Sequence, residues 1–421
     1  MKKNKLQTLK GFRDFYPEDM AFQSWLYGKI KKVSEAFGFQ EYEGPTVESL
    51  DLYAAKSGEE LVKKQAFTWK DNSDRTIALR PEMTPTLAKM IVQKEGSLTF
   101  PVKWFTYGRR FRYEQPQKGR GREFFQWDVD ILGSNSLLSD TEAIAIAATF
   151  YKELGLTPKE VVIKVNDREL ILNSLSEIGV AEDKTKAILK IIDKKYKVGK
   201  EIFEKLLLDQ DLSNKQTKDI IAMTNNTKLY EKSDWLMGIK NRLKLFGVSE
   251  YIEFDPSIVR GLDYYTKTVF EGWVKEVSFR SIWGGGRYDN LTSDVGGKQK
   301  IAGVGFAMGD MVIEEVLRFF KKYPVLKTVQ SDVLVSVFSP QQLESSIKIA
   351  RELRDNGINT ELFPDENTRL DKQLKYADKK QIPYVVIIGP EEVKNKLVTL
   401  KNMKTKEQKK VTIEEVCNLL K

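Results

Sequence analysis

The feature that most constrains the fold of this chain is a pair of long, aromatic-rich segments joined by a short polar loop. The segments run from Val102 to Tyr113 and from Arg122 to Leu132, and the loop reads Glu114-Gln-Pro-Gln-Lys-Gly-Arg-Gly121. Aromatic and β-branched residues favour strands, and glycine and proline favour a reversal of the chain between them. The pattern predicts a long antiparallel hairpin.

The segments before and after this hairpin predict further helices and strands. Helices are expected from about Pro17 to Phe37 and from Thr84 to about Gln93, where apolar residues recur at helical spacing. Strands broken by glycines are expected over 259–273, 278–286 and 303–309. Strands therefore continue after the hairpin as well as within it.

Two later regions have a different residue composition and a different pattern of predicted helices and strands. From about residue 169 to 250, lysine- and leucine-rich helical periods without a strand pattern indicate a helical insertion. After Tyr323-Pro324, strands alternate with helices, which is typical of a small α/β domain with a largely parallel sheet. We therefore predict one domain over residues 1–325, with the insertion inside it, and a second over 328–421.

Length and composition limit the class of protein. A chain of 421 residues exceeds one ordinary hydrophobic core, so two or three domains are expected. It has no apolar run of about 18 residues, and no apolar stretch follows its charged beginning, so we expect neither a membrane span nor a signal peptide. The single cysteine, Cys417, excludes an internal disulfide and a cysteine-based zinc cluster. We expect a cytoplasmic protein.

The charge of the chain leaves two interpretations open. The net charge is +9, from 69 basic and 60 acidic side chains. An excess of basic side chains favours a polyanionic partner such as a nucleic acid, because bound phosphates release their counterions. A lysine-rich solvated surface is the alternative, and composition alone favours it.

The chain contains no histidine, which excludes several kinds of catalysis. Nucleophile–histidine pairs and zinc sites of the HExxH type cannot form without imidazole. The chemistry must then depend on arginine, lysine, carboxylates, hydroxyls or backbone amides. This favours phosphoryl or nucleotidyl transfer, in which positioning and charge neutralisation supply most of the catalysis.

Two clusters of polar residues lie in the first half of the chain. In the hairpin, alternation puts Arg110 and Arg112 on one face, where guanidiniums gather and a triphosphate could lie; a solvated surface is the alternative. In Leu79-Arg-Pro-Glu-Met-Thr84, the carboxylate of Glu82 and the hydroxyl of Thr84 could hold a substrate ammonium group. A helix cap is the alternative for that pair.

Two more clusters lie in the second half. Val259-Arg-Gly-Leu-Asp-Tyr-Tyr-Thr266 reads as an unusually polar aromatic strand, or as an edge strand with stacked tyrosines. Trp283-Gly-Gly-Gly-Arg-Tyr-Asp289 contains three consecutive glycines, which allow the backbone to approach a ligand closely. A sharp turn would also need those glycines.

In this order and spacing, the four clusters resemble the histidyl-tRNA synthetase family within the class II aminoacyl-tRNA synthetases. The similarity begins at Lys10-Gly-Phe-Arg-Asp-Phe-Tyr-Pro17 and covers almost the whole chain. Motif 1 of the class ends at Pro45, and motif 2 runs from Phe111 to Gln126. The segments 260–265 and 285–289 are similar to two signatures of the histidine-specific members.

The resemblance implies an α+β fold: an antiparallel six-stranded class II sheet core with a helical insertion, and a C-terminal α/β anticodon-binding domain. It implies ATP-dependent activation of L-histidine to histidyl-adenylate and transfer of the histidyl group to the 3′ end of tRNA(His). ATP and Mg²⁺ are the implied cofactors and tRNA(His) the implied partner. Family members are homodimers, and motif 1 is the implied interface.

The resemblance also implies roles for individual residues. Arg112 and Arg260 would neutralise the ATP α-phosphate from opposite sides, and Glu114 would lie on the adenine side. The implied histidine-binding residues are Glu82, Thr84, Gln126, Asp130, Tyr265 and Tyr288. The implied contacts with the tRNA acceptor end are Gln115, Lys118 and Arg120. No protein residues are implied as metal ligands.

The chain departs from the family pattern at several of these positions. Val312 stands where members usually carry a motif 3 arginine on the adenine and γ-phosphate, and Arg287 or Arg318 are the candidates to replace it. Asp130 faces the imidazole where the family has the longer glutamate. Gln115 stands where many members have arginine.

The altered motif 3 favours a second function from another class. A non-catalytic, synthetase-like regulatory subunit of ATP phosphoribosyltransferase would not need a complete ATP site. The C-terminal domain and the segment Arg260-Gly-Leu-Asp-Tyr-Tyr265 argue against this alternative, because such paralogues commonly lose both.

Overall fold

A computed structural model describes residues 6–56, 65–117, 119–260, 265–275, 281–290 and 292–421. The described chain divides into two compact units. One unit runs to Pro324, and the other comprises Val325–Lys421 together with Pro17–Ala21. None of the helices in the described residues is long and apolar enough to cross a membrane.

The helices of the first unit begin close to where the sequence predicts them. The first starts at Pro17, and the third covers the expected span Thr84–Gln93. Proline suits the first helical position because the amide hydrogen that it lacks has no partner there. The α-helices among the described residues up to Pro324 are α1 Pro17–Ala36, α2 Leu50–Lys56, α3 Thr84–Gln93, α4 Leu137–Glu153, α5 Arg168–Glu177, α6 Glu182–Ile192, α7 Lys200–Leu208, α8 Asn214–Asn225, α9 Asp234–Leu245 and α10 Asp310–Phe319.

The strands of the first unit form a large and a small sheet. The small sheet contains β2 Val47–Ser49, β3 Thr68–Lys70 and β4 Thr76–Leu79. The large sheet contains β1 Gln40–Glu41, β5 Val102–Phe111, β6 Glu123–Leu132, β7 Val161–Asp167, β8 Ile252–Phe254, β9 Thr268–Val274, β10 Trp283–Tyr288 and β11 Gly303–Gly309.

The large sheet has the order β1-β5-β6-β11-β10-β9-β7-β8 over the described residues. Each of its six central strands is antiparallel to its neighbours among those six, as the class II resemblance implies. A short parallel strand extends each edge, because β1 pairs with β5 and β8 pairs with β7. The predicted hairpin is confirmed as β5 and β6, which pair from Val102–Leu132 to Phe111–Glu123.

The glycine-broken strands differ from their predicted bounds. The strand expected over 259–273 begins only at Thr268, because Arg260 adopts a positive φ of 48° that a strand does not accommodate. The strand expected over 278–286 begins at Trp283 and continues to Tyr288. Residues 261–264 and 276–280 lie outside the described residues, whereas β11 matches its expected span.

One face of the large sheet is covered by an apolar core. The ring of Trp127 on β6 packs 4.8 Å from Phe150 on α4 and 5.0 Å from Phe306 on β11. Successive side chains of a strand point to opposite faces. Because the side chain of Trp127 is buried in this core, Gln126 and Asp128 point to the other face of the sheet, which carries the candidate site.

The second unit contains a mixed sheet. Its elements are β12 Val333–Val335, α11 Leu343–Asp355, β13 Thr360–Leu362, α12 Leu370–Lys380, β14 Tyr384–Ile387, α13 Pro390–Asn395, β15 Val398–Asn402, β16 Gln408–Val411 and α14 Ile413–Leu420. The order is β13-β12-β14-β15-β16. The first three strands are parallel, but β15 and β16 are antiparallel to their neighbours. Short connections allow antiparallel pairing, so the largely parallel sheet predicted from the sequence holds for three strands only.

Candidate active site

Glycines open the floor of the site on the free face of the large sheet. Asp130 on β6 lies opposite Gly305 on β11, and Gly305 lies opposite Gly286 on β10. A Cβ atom at Gly305 would overlap the carboxylate of Asp130, and one at Gly286 would lie 2.7 Å from the ring of Tyr265. The glycine run of the sequence therefore makes room for functional side chains, which supports the close-approach interpretation over a sharp turn.

Asp130, Tyr265 and Tyr288 meet at one end of this floor. The hydroxyl of Tyr288 donates a hydrogen bond to Oδ1 of Asp130, and both residues are buried. Burial raises the pKa of Asp130 to about 7, and the hydrogen bond from Tyr288 opposes that rise. Tyr265 belongs to the same buried cluster as Tyr288. A carboxylate and a tyrosine hydroxyl are therefore bonded to each other beside a largely apolar buried cluster.

Arg260 lies beside this pocket. Its Nη1 forms a salt bridge of 3.0 Å with Oε1 of Glu271 on β9, and a Cβ atom at Gly284 would overlap its guanidinium. The guanidinium carbon lies 5.5 Å from the centre of the Tyr265 ring. Nη1 of Arg168 donates to the carbonyl of Arg260 at 3.0 Å and so anchors the backbone there. The site therefore carries a cation next to the tyrosines.

Arg112 lies beside the turn that carries Glu82. Its Nε donates to the carbonyl of Pro81 at 2.9 Å, and its guanidinium stacks 5.4 Å from the ring of Phe124. Glu82 and Thr84 are half-buried, and α3 begins at Thr84. The N-cap residue of this helix is Met83, which makes no side-chain capping bond. The arrangement brings the predicted phosphate and ammonium contacts together.

Gln126 lies between these two groups on β6. It is paired with Gly108 on β5 and Gly309 on β11, so neither neighbour covers it with a side chain. Gln126 is buried, and its Oε1 has no hydrogen-bond partner among the described residues. A buried acceptor without a partner is costly, and a bound donor would relieve that cost.

The loop of the hairpin folds back onto α10. Nη1 of Arg120 lies 3.4 Å from Oε2 of Glu114, and Gln115 is exposed. A Cβ atom at Gly119 would lie 3.1 Å from Cγ2 of Val312, so the loop tip rests on the position where the family resemblance expects an arginine. The predicted contact Lys118 lies outside the described residues.

The described residues contain no group of three or more histidine, cysteine, aspartate or glutamate side chains that could hold a metal ion. Two acidic side chains of the site have cation or hydroxyl partners: Glu271 pairs with Arg260, and Asp130 accepts from Tyr288.

The amino-acid sequence is similar to known proteins over almost the whole chain. Residues 11–311 match the family described as histidyl-tRNA synthetase, and residues 332–421 match the anticodon binding domain family. The chain belongs to the histidyl-tRNA synthetase family. Its sequence is 36% identical over 439 residues to the histidine–tRNA ligase of Leptospira biflexa, with 100% of this chain and 99% of that protein covered. It is 34% identical over 435 residues to that of Pyrococcus horikoshii, with 99% of each covered.

Solved structures of the histidyl-tRNA synthetase family share the fold. The histidyl-tRNA synthetase from Nostoc sp. superposes with a TM-score of 0.84 at 26% identity, and the alignment covers 99% of both chains. The S. aureus histidyl-tRNA synthetase superposes with a TM-score of 0.73 at 23% identity, again over 99% of both chains. The second likeness shows the fold alone.

In this family member, two arginines do not lie where their sequence pattern predicts them. Arg110 is fully buried and forms a salt bridge of 2.8 Å with Asp128, so it does not join Arg112 in an open phosphate site. Arg287 is buried in a salt bridge with Asp140 and also donates to the carbonyl of Ser134 at 2.9 Å. Both guanidiniums therefore pair with buried carboxylates of the same unit.

Arg318, the other candidate for the motif 3 arginine, is also engaged elsewhere. It pairs with Glu314 at 2.8 Å, and its guanidinium stacks 3.7 Å from the ring of Tyr323. Glu271, which forms the salt bridge with Arg260, was not among the residues predicted from the sequence. A carboxylate in an aromatic strand between Phe270 and Trp273 was the available signal.

Proposed function

We propose that this member of the histidyl-tRNA synthetase family activates L-histidine with ATP to histidyl-adenylate and transfers the histidyl group to the 3′ end of tRNA(His). AMP and pyrophosphate are the by-products. One observation carries the proposal: Asp130 and Tyr288 are hydrogen-bonded over a floor of glycines, and the cation Arg260 lies 5.5 Å from the ring of Tyr265 beside that floor. The full-length similarity to proteins named histidine–tRNA ligase supports it.

The activation step needs no protein nucleophile. The carboxylate of histidine attacks the α-phosphorus of ATP in line, and pyrophosphate leaves. Arg112 and Arg260 neutralise the charge that builds on the α-phosphate, because fixed guanidiniums need no reorganisation at the moment of reaction. Glu114 lies on the adenine side. Mg²⁺ enters as part of the substrate, bound by the phosphates of ATP.

The amino acid is held at both of its ends. The carboxylate of Asp130 and the hydroxyls of Tyr265 and Tyr288 meet the imidazole, which has one donor and one acceptor nitrogen. Glu82 and Thr84 hold the α-ammonium group, with Gln126 beside them. A small apolar amino acid would offer Asp130 no ring N–H beside the bond from Tyr288, so the proposed site favours a polar ring.

The tRNA is bound by both predicted domains. We assign residues 1–325 to catalysis, with the helical insertion over about 169–250, and residues 328–421 to anticodon binding. Gln115, Lys118 and Arg120 on the hairpin loop contact the acceptor end. The net charge of +9 favours binding of a polyanion. The enzyme acts as a homodimer through the segment that ends at Pro45.

A regulatory subunit of ATP phosphoribosyltransferase is less well supported. A Bacillus halodurans structure described as such a subunit or a histidyl-tRNA synthetase has a TM-score of 0.74, but at 20% identity this likeness concerns the fold alone. The relatives at 33–36% identity are named histidine–tRNA ligases. The C-terminal match over residues 332–421 also favours the synthetase.

The test is histidine-dependent exchange of labelled pyrophosphate into ATP, followed by charging of tRNA(His). The expected result is exchange with histidine and none with other amino acids. Arg260→Met should abolish exchange, because it removes the cation beside the pocket. Binding of histidine without any exchange would instead favour the regulatory subunit.

A further inference from the structure

A buried salt bridge lies next to the site and has no role in the proposed chemistry. Arg110 on β5 and Asp128 on β6 are joined at 2.8 Å, and their side chains are 0% and 7% exposed. They are not directly opposite each other, because Arg110 is paired with Phe124 and Asp128 with Thr106. The arginine must therefore run along its own strand, past Gly108, to reach the carboxylate.

Gly108 is the gap through which two guanidiniums pass. A Cβ atom there would lie 2.8 Å from Nη2 of Arg80 and 3.3 Å from Nη1 of Arg110. Both arginines donate to the carbonyl of Arg109, at 2.8 and 3.0 Å. Two like charges so close together each need a carboxylate, which Glu43 supplies to Arg80 and Asp128 supplies to Arg110.

This network connects the two substrate subsites. Arg80 is followed by Pro81 and Glu82, so its guanidinium anchors the turn that carries the ammonium contact. The amide of Phe111 donates to the carbonyl of Arg80 at 3.0 Å, and Arg112 donates to the carbonyl of Pro81 at 2.9 Å. The turn with Glu82 and the residue Arg112, which follows β5, are therefore held in one hydrogen-bonded assembly.

Asp128 is the buried anion at the centre of this positive charge. Burial raises its pKa, and the charges of Arg110, Arg112 and Arg80 oppose that rise. Asp128 lies on the same face of β6 as Gln126 and Asp130, because side chains two residues apart on a strand point the same way. Its carboxylate is thus placed between the histidine contacts and the arginine cluster.

We propose that the Arg110–Asp128 salt bridge is a positioning element that couples the histidine subsite at Glu82 to the ATP subsite at Arg112. Neither residue touches a substrate. The inference rests on the proposed function for the identity of the two substrates. Its alternative is a purely structural pair that fills the space over Gly108.

An apolar double variant separates these alternatives. Replacement of a buried salt bridge by apolar residues of similar volume is often neutral for stability, whereas removal of one partner leaves an unpaired buried charge. Arg110→Leu with Asp128→Leu is therefore expected to keep the fold. It removes the hydrogen bond from Arg110 to the carbonyl of Arg109 and the side-chain salt bridge between β5 and β6. Lys322→Met with Glu160→Gln is the control, because it removes another partly buried salt bridge of the same unit.

Three quantities are measured on each full-length variant: the melting temperature, the rate of pyrophosphate exchange, and the Kd of histidine with and without a non-hydrolysable ATP analogue. In the unmodified protein the analogue should tighten histidine binding, because the two subsites share one assembly. The Arg110→Leu and Asp128→Leu double variant should melt at the same temperature, exchange about 10²-fold more slowly, and bind histidine equally with or without the analogue. The control should keep both exchange and coupling.

A double variant with normal exchange and normal coupling overturns the proposal, as does an unmodified protein without coupling. If the double variant does not fold, Arg110→Met with Asp128→Leu is measured in its place, since it also removes both charges and fills the space with apolar atoms; normal coupling in that variant also overturns the proposal. Absence of exchange in the unmodified protein contradicts the proposed function alone, because the binding measurements still test the coupling.

Discussion

The hydroxyl of Tyr288 donates to Oδ1 of Asp130 across an intervening strand, β11. Tyr288 is paired with Gly303, and a Cβ atom at Gly303 would overlap the tyrosine ring. The tyrosine therefore reaches Asp130 only because β11 carries glycines at positions 303 and 305. This contact joins two of the residues that we propose to bind histidine.

Tyr288→Phe should raise the KM for histidine about tenfold and leave the KM for ATP unchanged. A hydrogen bond to a charged group contributes about 1.5 kcal/mol or more, which corresponds to that factor. Pyrophosphate exchange at varied histidine concentration measures the effect. Tyr27→Phe is the control, because its hydroxyl bonds the exposed Glu41. An equal rise in the KM for ATP would argue against a local role.

Asp130→Asn should change how stability depends on pH. Burial raises the pKa of Asp130 to about 7, above its value in the unfolded chain. Below about pH 4 the group is protonated in both states, and as the pH rises toward 7 the folded state is increasingly destabilised. The neutral asparagine avoids this penalty, so its stability advantage should grow by about 1.4 kcal/mol per pH unit in that window. Urea unfolding at several pH values measures it, and a constant difference would contradict the assigned pKa.

Gly284→Ala should lower the rate of pyrophosphate exchange about 10²–10³-fold while the protein stays folded. The added methyl would overlap the guanidinium of Arg260 and push it off Glu271. Displacement of a group that stabilises the transition state costs about 10²–10³-fold in rate. Gly199→Ala is the matched control, because nothing lies within 4 Å of its Cβ position. Normal exchange in Gly284→Ala would mean that Arg260 does not act from this position.

Arg112→Lys should lower exchange about 10²-fold, although the charge is retained. Lysine has neither the Nε that bonds Pro81 nor the planar fork that binds phosphate in two places. Arg109→Lys is the control from the opposite face of the same strand, where the arginine pairs with Glu123 at 2.9 Å. If both lysine variants lose the same activity, the effect is one of strand stability and not of phosphate binding.

Local patterns predicted most of the helices and strands. The hairpin of β5 and β6 could be predicted because aromatic and β-branched residues favour strands and the glycines and proline between them favour a reversal of the chain. Pro17 and Thr84 mark helix starts for reasons that are equally local. The bounds of the strand after Arg260 were wrong, because a positive φ at one residue interrupts the extended chain.

The fate of each charged side chain was decided by the tertiary structure. Arg110 and Arg112 share a face and a residue type, yet the first is buried against Asp128 and the second lies at the turn of Pro81. Whether a guanidinium is buried depends on which carboxylate and which gap lie beside it, and these come from residues distant in sequence. The sequence by itself determined the order of helices and strands and the family motifs. Only the tertiary structure decided that Glu271 holds Arg260, that Asp140 removes Arg287 from the site, and that Gly303 lets Tyr288 reach Asp130.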